Sequence, residues 1–111
     1  MKRIDLEDLP PVINNVSLKD IAEAACQRHP NLTMKLLLGK SSPARIAWVR
    51  FMIYFVARET TGLSLPQIGK FFGRDHSIIN YGVQSVRKKM SVDPVYAAKI
   101  EKWVAYFKQA P

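Results

Sequence analysis

Ser64 to Lys89, "SLPQIGKFFGRDHSIINYGVQSVRKK", holds two helix-forming runs separated by one short break at Gly73-Arg74. Ser64-Leu65-Pro66-Gln67 is a capping-box pattern with proline in the first turn, so a helix starts there. Ile68, Phe71 and Phe72 are its core candidates, and Gly73 can take the left-handed conformation that ends a helix. A second helix follows from near Asp75 to about Met90, with Ile79, Val83, Val86 and Met90 at helical spacing on one side. Two helices joined by three or four residues with a glycine describe a helix-turn-helix. Gly69, part-way along the first helix, costs about 0.5–1 kcal/mol relative to alanine, and close approach of the second helix is a reason to tolerate it. A plain helical hairpin has the same spacing, so spacing alone leaves both open.

Outward from that stretch, every ordered segment also reads as helix. Ser17-Leu-Lys-Asp20 caps a helix of three turns that stops at His29-Pro30. Asn31 to Gly39 predicts a short helix closed by glycine. Ser42 as cap and Pro43 at the first helical position predict a long helix running to Thr60 and closed by Gly62. Asp93-Pro94 starts a last helix with Tyr96, Ile100, Trp103 and Phe107 as its stripe. No segment alternates with period two. The expectation is an all-α fold of six helices over residues 16–111, preceded by an irregular arm over residues 1–15 that carries a Pro-Pro pair.

At 111 residues the chain suits one compact core and is short for two ordinary domains. Its single cysteine, Cys26, leaves no internal disulfide and reads as a small buried filler. A reducing, cytoplasmic setting follows as an expectation. The most apolar run, Ile46 to Ala57, has twelve residues and contains Arg50, too short for a membrane span. The charge is uneven. Residues 1–39 hold five basic and five acidic side chains, residues 40–89 nine and two, and residues 90–111 three and two. Such a localised surplus is the footprint of a polyanion partner, although a solvated basic surface has the same composition.

The second helix of the opening stretch carries the groups a major-groove reader needs. His76, Asn80, Gln84 and Lys88 recur every four residues on the side away from Ile79, Val83 and Val86. Asparagine and glutamine pair bidentately with adenine, aspartate accepts from a cytosine amino group, and serine takes either role. Only the first turns of such a helix reach base edges. Asp75, His76 and Ser77 are therefore the leading candidates, with Asn80 next and Asp75 also a natural N-cap. No catalytic constellation and no metal-ligand spacing emerges from His29, His76 and Cys26, and no phosphate-cradling glycine loop is present. The chain is read as a non-enzyme without cofactor, metal or nucleotide.

"VARETTGLSLPQIG" (Val56 to Gly69) followed by "GRDH" resembles the signature of the C-terminal DNA-binding domain of DnaA, the bacterial chromosome replication initiator. The resemblance runs from Val16 to about Met90. It implies a six-helix domain whose helix-turn-helix sits in the major groove of a short duplex site. It further implies base reading by Asp75, His76 and Ser77, a phosphate at Leu65 and Pro66, and backbone contacts from Arg50 and Arg58. Lys70 and Arg74 extend that set of phosphate anchors.

The chain departs from the family pattern at several points. One glycine, Gly73, precedes Arg-Asp-His where the family has two. Ser42 stands at the place of an arginine that enters the minor groove, leaving Lys40 and Arg45 as substitutes there. Val49-Arg50-Phe51 replaces Pro-Arg-Gln, and Ile78 replaces a hydroxyl residue. The expectation is a freestanding, sequence-specific binder of double-stranded DNA, a replication or transcription regulator of phage or prophage origin, without the initiator's ATPase domain. Its competitor is a protein-interaction module that kept the scaffold and lost origin-site recognition. That module would present Trp48 with Trp103, Tyr106 or Phe107 to a replication or packaging partner, or to a second copy.

Overall fold

A computed structural model describes residues 17–40 and 43–109, and among them there are six α-helices and no strand. They are α1 (Leu18–Arg28), α2 (Met34–Leu38), α3 (Ala44–Thr60), α4 (Leu65–Phe72), α5 (His76–Val92) and α6 (Pro94–Gln109). The expected arm over residues 1–15 and the expected cap Ser42 lie outside the described residues.

The helix starts follow local chemistry. The Ser17 hydroxyl accepts from the Asp20 amide at 3.1 Å while the Asp20 carboxylate accepts from the Ser17 amide at 3.1 Å, a reciprocal capping box. Ser64 and Gln67 repeat the arrangement at 3.2 and 2.8 Å. Asp93 accepts from the Tyr96 amide at 3.0 Å and opens α6 at Pro94. Two starts differ from expectation. α2 begins at Met34 because Asn31 takes a left-handed turn (φ 66°) and the Thr33 hydroxyl then accepts from the Leu36 amide. Pro43 is the N-cap of α3 rather than its first helical residue: its backbone is extended (φ −59°, ψ 146°), and its carbonyl accepts the first helical bond, from Ala47.

α3 is the central helix and is apolar on nearly every side, as a helix surrounded by others must be. It packs against all five of its fellows, with α5 its most extensive partner. Ile53, Tyr54, Val56 and Ala57 lie at its buried centre, and Phe72, Ile79, Val86, Ile100 and Trp103 close over them from α4, α5 and α6. The predicted core positions of α5 hold, with Ile79, Val83 and Val86 buried and Met90 half-buried. Cys26 is half-buried at the edge of the core.

Gly82 is what lets α5 approach α3. A Cβ there would sit 2.7 Å from both the Phe51 and Tyr54 rings, so this buried glycine is a contact point and not a weakness in the helix. Gly82→Ala is expected to destabilise the fold by about 1–3 kcal/mol, the usual effect of overpacking. Urea unfolding checks this, and a wild-type midpoint would contradict the tight crossing.

Candidate nucleic-acid interface

The break between α4 and α5 is built by two glycines with different duties. Gly73 is left-handed (φ 67°, ψ 36°), and its amide turns back to the Gly69 and Lys70 carbonyls. The Arg74 amide donates to the Gly69 carbonyl at 2.8 Å. The turn therefore folds closely over α4, and a Cβ on Gly69 would lie 2.3 Å from the Arg74 carbonyl oxygen. Gly69 admits the turn's backbone first and the second helix only through Ile79, whose side chain would be 3.5 Å from that Cβ. A single glycine before Arg74 suffices for a helix-turn-helix.

Asp75 caps α5. Its Oδ2 accepts from the Ser77 amide at 3.0 Å and from the Ser77 hydroxyl. Those two bonds, the hydroxyl's first, hold the Asp75 carboxyl below its ordinary value. Oδ1 points elsewhere, 3.6 Å from His76 Nδ1. Capping thus occupies one carboxylate oxygen and leaves the other at the surface. The Asp75 and His76 side chains remain 61 and 62% exposed. Ser77, Asn80, Gln84 and Lys88 are exposed as well, with Asn80 and Gln84 within 3.5 Å of each other. Ile78 and Tyr81 also face solvent, Tyr81 standing edge-on to Phe51. Tyr81 was not singled out in the sequence, although its position one residue from Asn80 placed it on the same helical turn.

The cations divide into two groups. Arg58 is exposed and donates from Nη1 to the Leu63 carbonyl at 2.8 Å, which holds its guanidinium beside the first residues of α4. There the Ser64 hydroxyl takes the Gln67 amide and Pro66 has no N–H, so the positive end of the helix is joined by a fixed cation next to Leu65. Lys70 is exposed on the last turn of α4. Arg45 is exposed in the first turn of α3, which has neither an acidic residue nor a side-chain cap. A cation at a helix N-terminus is unfavourable for the helix itself, so stability does not account for Arg45. Lys40 is exposed just before the segment 41–42.

Arg50 and Arg74 belong to the second group, and for Arg50 this is a correction. Expected to contact phosphate, Arg50 is 3% exposed. Its Nε donates to the Leu37 carbonyl at 2.7 Å and its Nη2 to the Leu36 and Gly39 carbonyls at 2.9 Å each. These are the carbonyls that a helix end leaves without internal partners. Burial, then the nearby Arg74 charge, push the Arg50 guanidinium below its ordinary value. Arg74 is half-buried, donating to the Phe72 carbonyl at 3.0 Å and to the same Gly39 carbonyl at 2.8 Å.

The family model for the bacterial DnaA protein helix-turn-helix matches residues 18–86, which span α1 to most of α5. The chain belongs to that family. The DnaA chromosomal replication initiators of Neisseria meningitidis serogroup B, Symbiobacterium thermophilum and a Thermoanaerobacter species are 33, 31 and 29% identical to it over 103, 99 and 106 residues. These matches cover 92, 87 and 88% of the chain but only 20, 21 and 24% of those initiators. The chain thus spans about a quarter or less of the relatives' length. The DnaA-like fold also places the aromatic residues of the interaction-module expectation. Trp48 is half-buried against Phe51 and Tyr96 with the Lys89 ammonium 4.7 Å from its ring centroid, and Trp103 and Phe107 are buried. Only Tyr106 of that group is exposed. Among the described residues no cluster of His, Cys, Asp and Glu could hold a metal, and no helix is long and apolar enough to cross a membrane.

Replacing Arg50 with methionine is expected to cost about 1–3 kcal/mol, since buried carbonyls lose their donors. Lysine should not restore the loss, because one ammonium cannot reproduce the planar fork. Denaturant midpoints of the two variants test both statements. At the α5 cap the folded-state value of Asp75 is depressed, so its contribution is complete above the ordinary carboxylate range and disappears as pH falls through that folded value. Asp75→Asn should therefore flatten the acid limb of the stability profile. An unchanged acid limb would show that the cap is not what titrates.

Proposed function

We propose that this DnaA-like domain binds double-stranded DNA in a sequence-dependent way, with the N-terminal turns of α5 in the major groove. The observation that carries the reading is the tip of α5: Asp75 and His76 are well exposed, while the cap and the glycine turn fix the start of the helix that carries them. Rigid polar groups at the start of a recognition helix are what base reading requires. Asp75 Oδ1 accepts from a cytosine amino group, His76 and Ser77 reach neighbouring base edges, and Asn80 reads one turn further along.

Backbone contacts position this tip. Arg58 with the start of α4 at Leu65 and Pro66 makes one phosphate site, joining a helix N-terminus to a fixed guanidinium. Lys70 makes a second. Lys40 and Arg45 sit at the α2–α3 connection and serve the adjacent minor groove, where a narrow width attracts cations. Arg50 is removed from the contact set, and Arg74 acts mainly by holding the turn. The biological role is regulation of replication initiation, in keeping with the initiators this chain resembles, or of transcription from related sites.

His76→Ala should cost about 1–3 kcal/mol on the preferred duplex and relax its sequence preference, whereas Arg58→Ala should weaken all duplexes alike and lower the salt slope by about one unit. With the four cations assigned to DNA contact, Lys40, Arg45, Arg58 and Lys70, log K should fall with log salt at a slope of about −3 to −4. Selection of bound sequences from a random duplex pool, followed by titration at two salt concentrations, measures all three. Equal losses for His76→Ala on every sequence would remove its reading role, and failure of any duplex to bind at low salt would sink the proposal.

A further inference from the structure

The helix α6 has two faces. Tyr96, Ile100, Trp103 and Phe107 turn inward. On the other side Val95, Ala98, Lys99, Lys102 and Tyr106 recur at helical spacing and are all exposed, Val95 at 81% and Tyr106 at 64%. Val92, at the end of α5, adds a further exposed side chain beside them. Isolated exposed apolar residues are ordinary; here Val92, Val95 and Ala98 cluster at one end of the face and Tyr106 lies about two turns further on, with Lys99 and Lys102 between them.

The face is also concave. A hollow of about 500 Å³ lies along Val95, Ala98, Lys99 and Lys102. A second, of about 400 Å³, opens between α6 and α1 with Trp103 and Phe107 in its wall, and Lys99 and Lys102 border both. Arg28 of α1 stands over the Trp103 ring, 5.5 Å from its centroid, at the edge of the second hollow. The lining of the two hollows holds three cations and no carboxylate. Glu101 of α6 lies instead at another hollow, with Glu59 and Arg87. The positive field extends to the end of α1, where His29 is held below its ordinary value by burial first, then by Lys99 and Arg45.

We propose that this α1–α6 face docks an acidic protein segment that places one aliphatic or aromatic side chain in the hollow beside Trp103 and its carboxylates on Arg28, Lys99 and Lys102. The charges choose the partner's sign, and the valines and Tyr106 ask for apolar contact. A nucleic-acid strand fits less well: Trp103 and Phe107 are buried, so successive bases would find only Tyr106 to stack on. The near end of the face is far from the reading tip: α5 rises about 1.5 Å per residue, so Val92 lies roughly 24 Å along the helix from His76.

The test is selection of random displayed peptides on the full chain. Enriched peptides should carry at least two carboxylates and one large apolar residue. A synthetic copy should bind the wild type and lose about tenfold or more in affinity on the Lys99→Glu/Lys102→Glu double variant and on Tyr106→Ser. Arg58→Ala should leave peptide binding unchanged. Thermal unfolding certifies each variant, and if the charge reversal does not fold, Tyr106→Ser decides. No enrichment over bare matrix overturns the proposal, as does binding that both variants leave intact. So does a surface that takes only oligothymidine or phosphatidylglycerol vesicles in the same assay. Peptide binding without any duplex binding would leave this inference standing and remove the DNA-reading one.

Discussion

One backbone oxygen joins the parts that must be held in register. The carbonyl of Gly39, just past the end of α2, receives Nη2 of Arg50 from α3 and Nη2 of Arg74 from the turn before α5. Arg50 adds the Leu36 and Leu37 carbonyls, so the frayed end of a five-residue helix is closed by a side chain rather than by water. A short helix of this kind is marginal alone. Here its end is fixed to the central helix and to the helix-turn-helix at once. The cost is a guanidinium taken out of water with a like charge close by: burial first, then Arg74, lowers the Arg50 value. Several carbonyl dipoles offset it, because hydrogen bonds to a charged group are worth roughly twice neutral ones.

The arrangement explains how the turn works with one glycine before Arg74. A second glycine would supply freedom, whereas here Arg74 supplies restraint. Its amide is held by Gly69, and its guanidinium by Phe72 and Gly39. The residue after it, Asp75, can then be an N-cap with a defined direction. Because Oδ2 is used for capping, the orientation of Oδ1 is determined before any ligand arrives. Preorganisation of this kind lowers the entropy lost on binding.

Features decided within four residues were legible in the sequence. The cap at Ser17, the capping box at Ser64, the left-handed Gly73, the start at Asp93-Pro94 and the core stripe of α5 all depend on near neighbours. The all-α fold and its helix count followed from them. Arg50 was misread because its partners lie 11 to 14 residues away, beyond any local pattern, and an arginine in an apolar run reads equally well as surface or interior. Gly82 carried a signal, a glycine beside Val83 on the inward side of a helix, but its meaning needed the Phe51 and Tyr54 rings of α3. The outer face of α6 was hidden by its inner stripe, since a helix with two apolar sectors looks like one with a broad core face. The candidate reading residues were legible because exposure on α5 follows directly from which side Ile79, Val83 and Val86 bury.

Net charge along the segment therefore overstates what a polyanion meets. Of the nine cations in residues 40–89, Arg50 is buried and Arg74 is turned to carbonyls. Arg87 lies 3.6 Å from Glu59 and over Phe55, and Lys89 rests on Trp48 and Tyr96. Those four act on the scaffold. A charge used this way still contributes to the long-range field that steers a polyanion, since burial does not cancel it. It cannot displace a counterion at a phosphate, which needs contact. Approach and grip thus depend on different subsets of the same basic residues, Arg50 contributing field together with the hydrogen bonds that hold the turn.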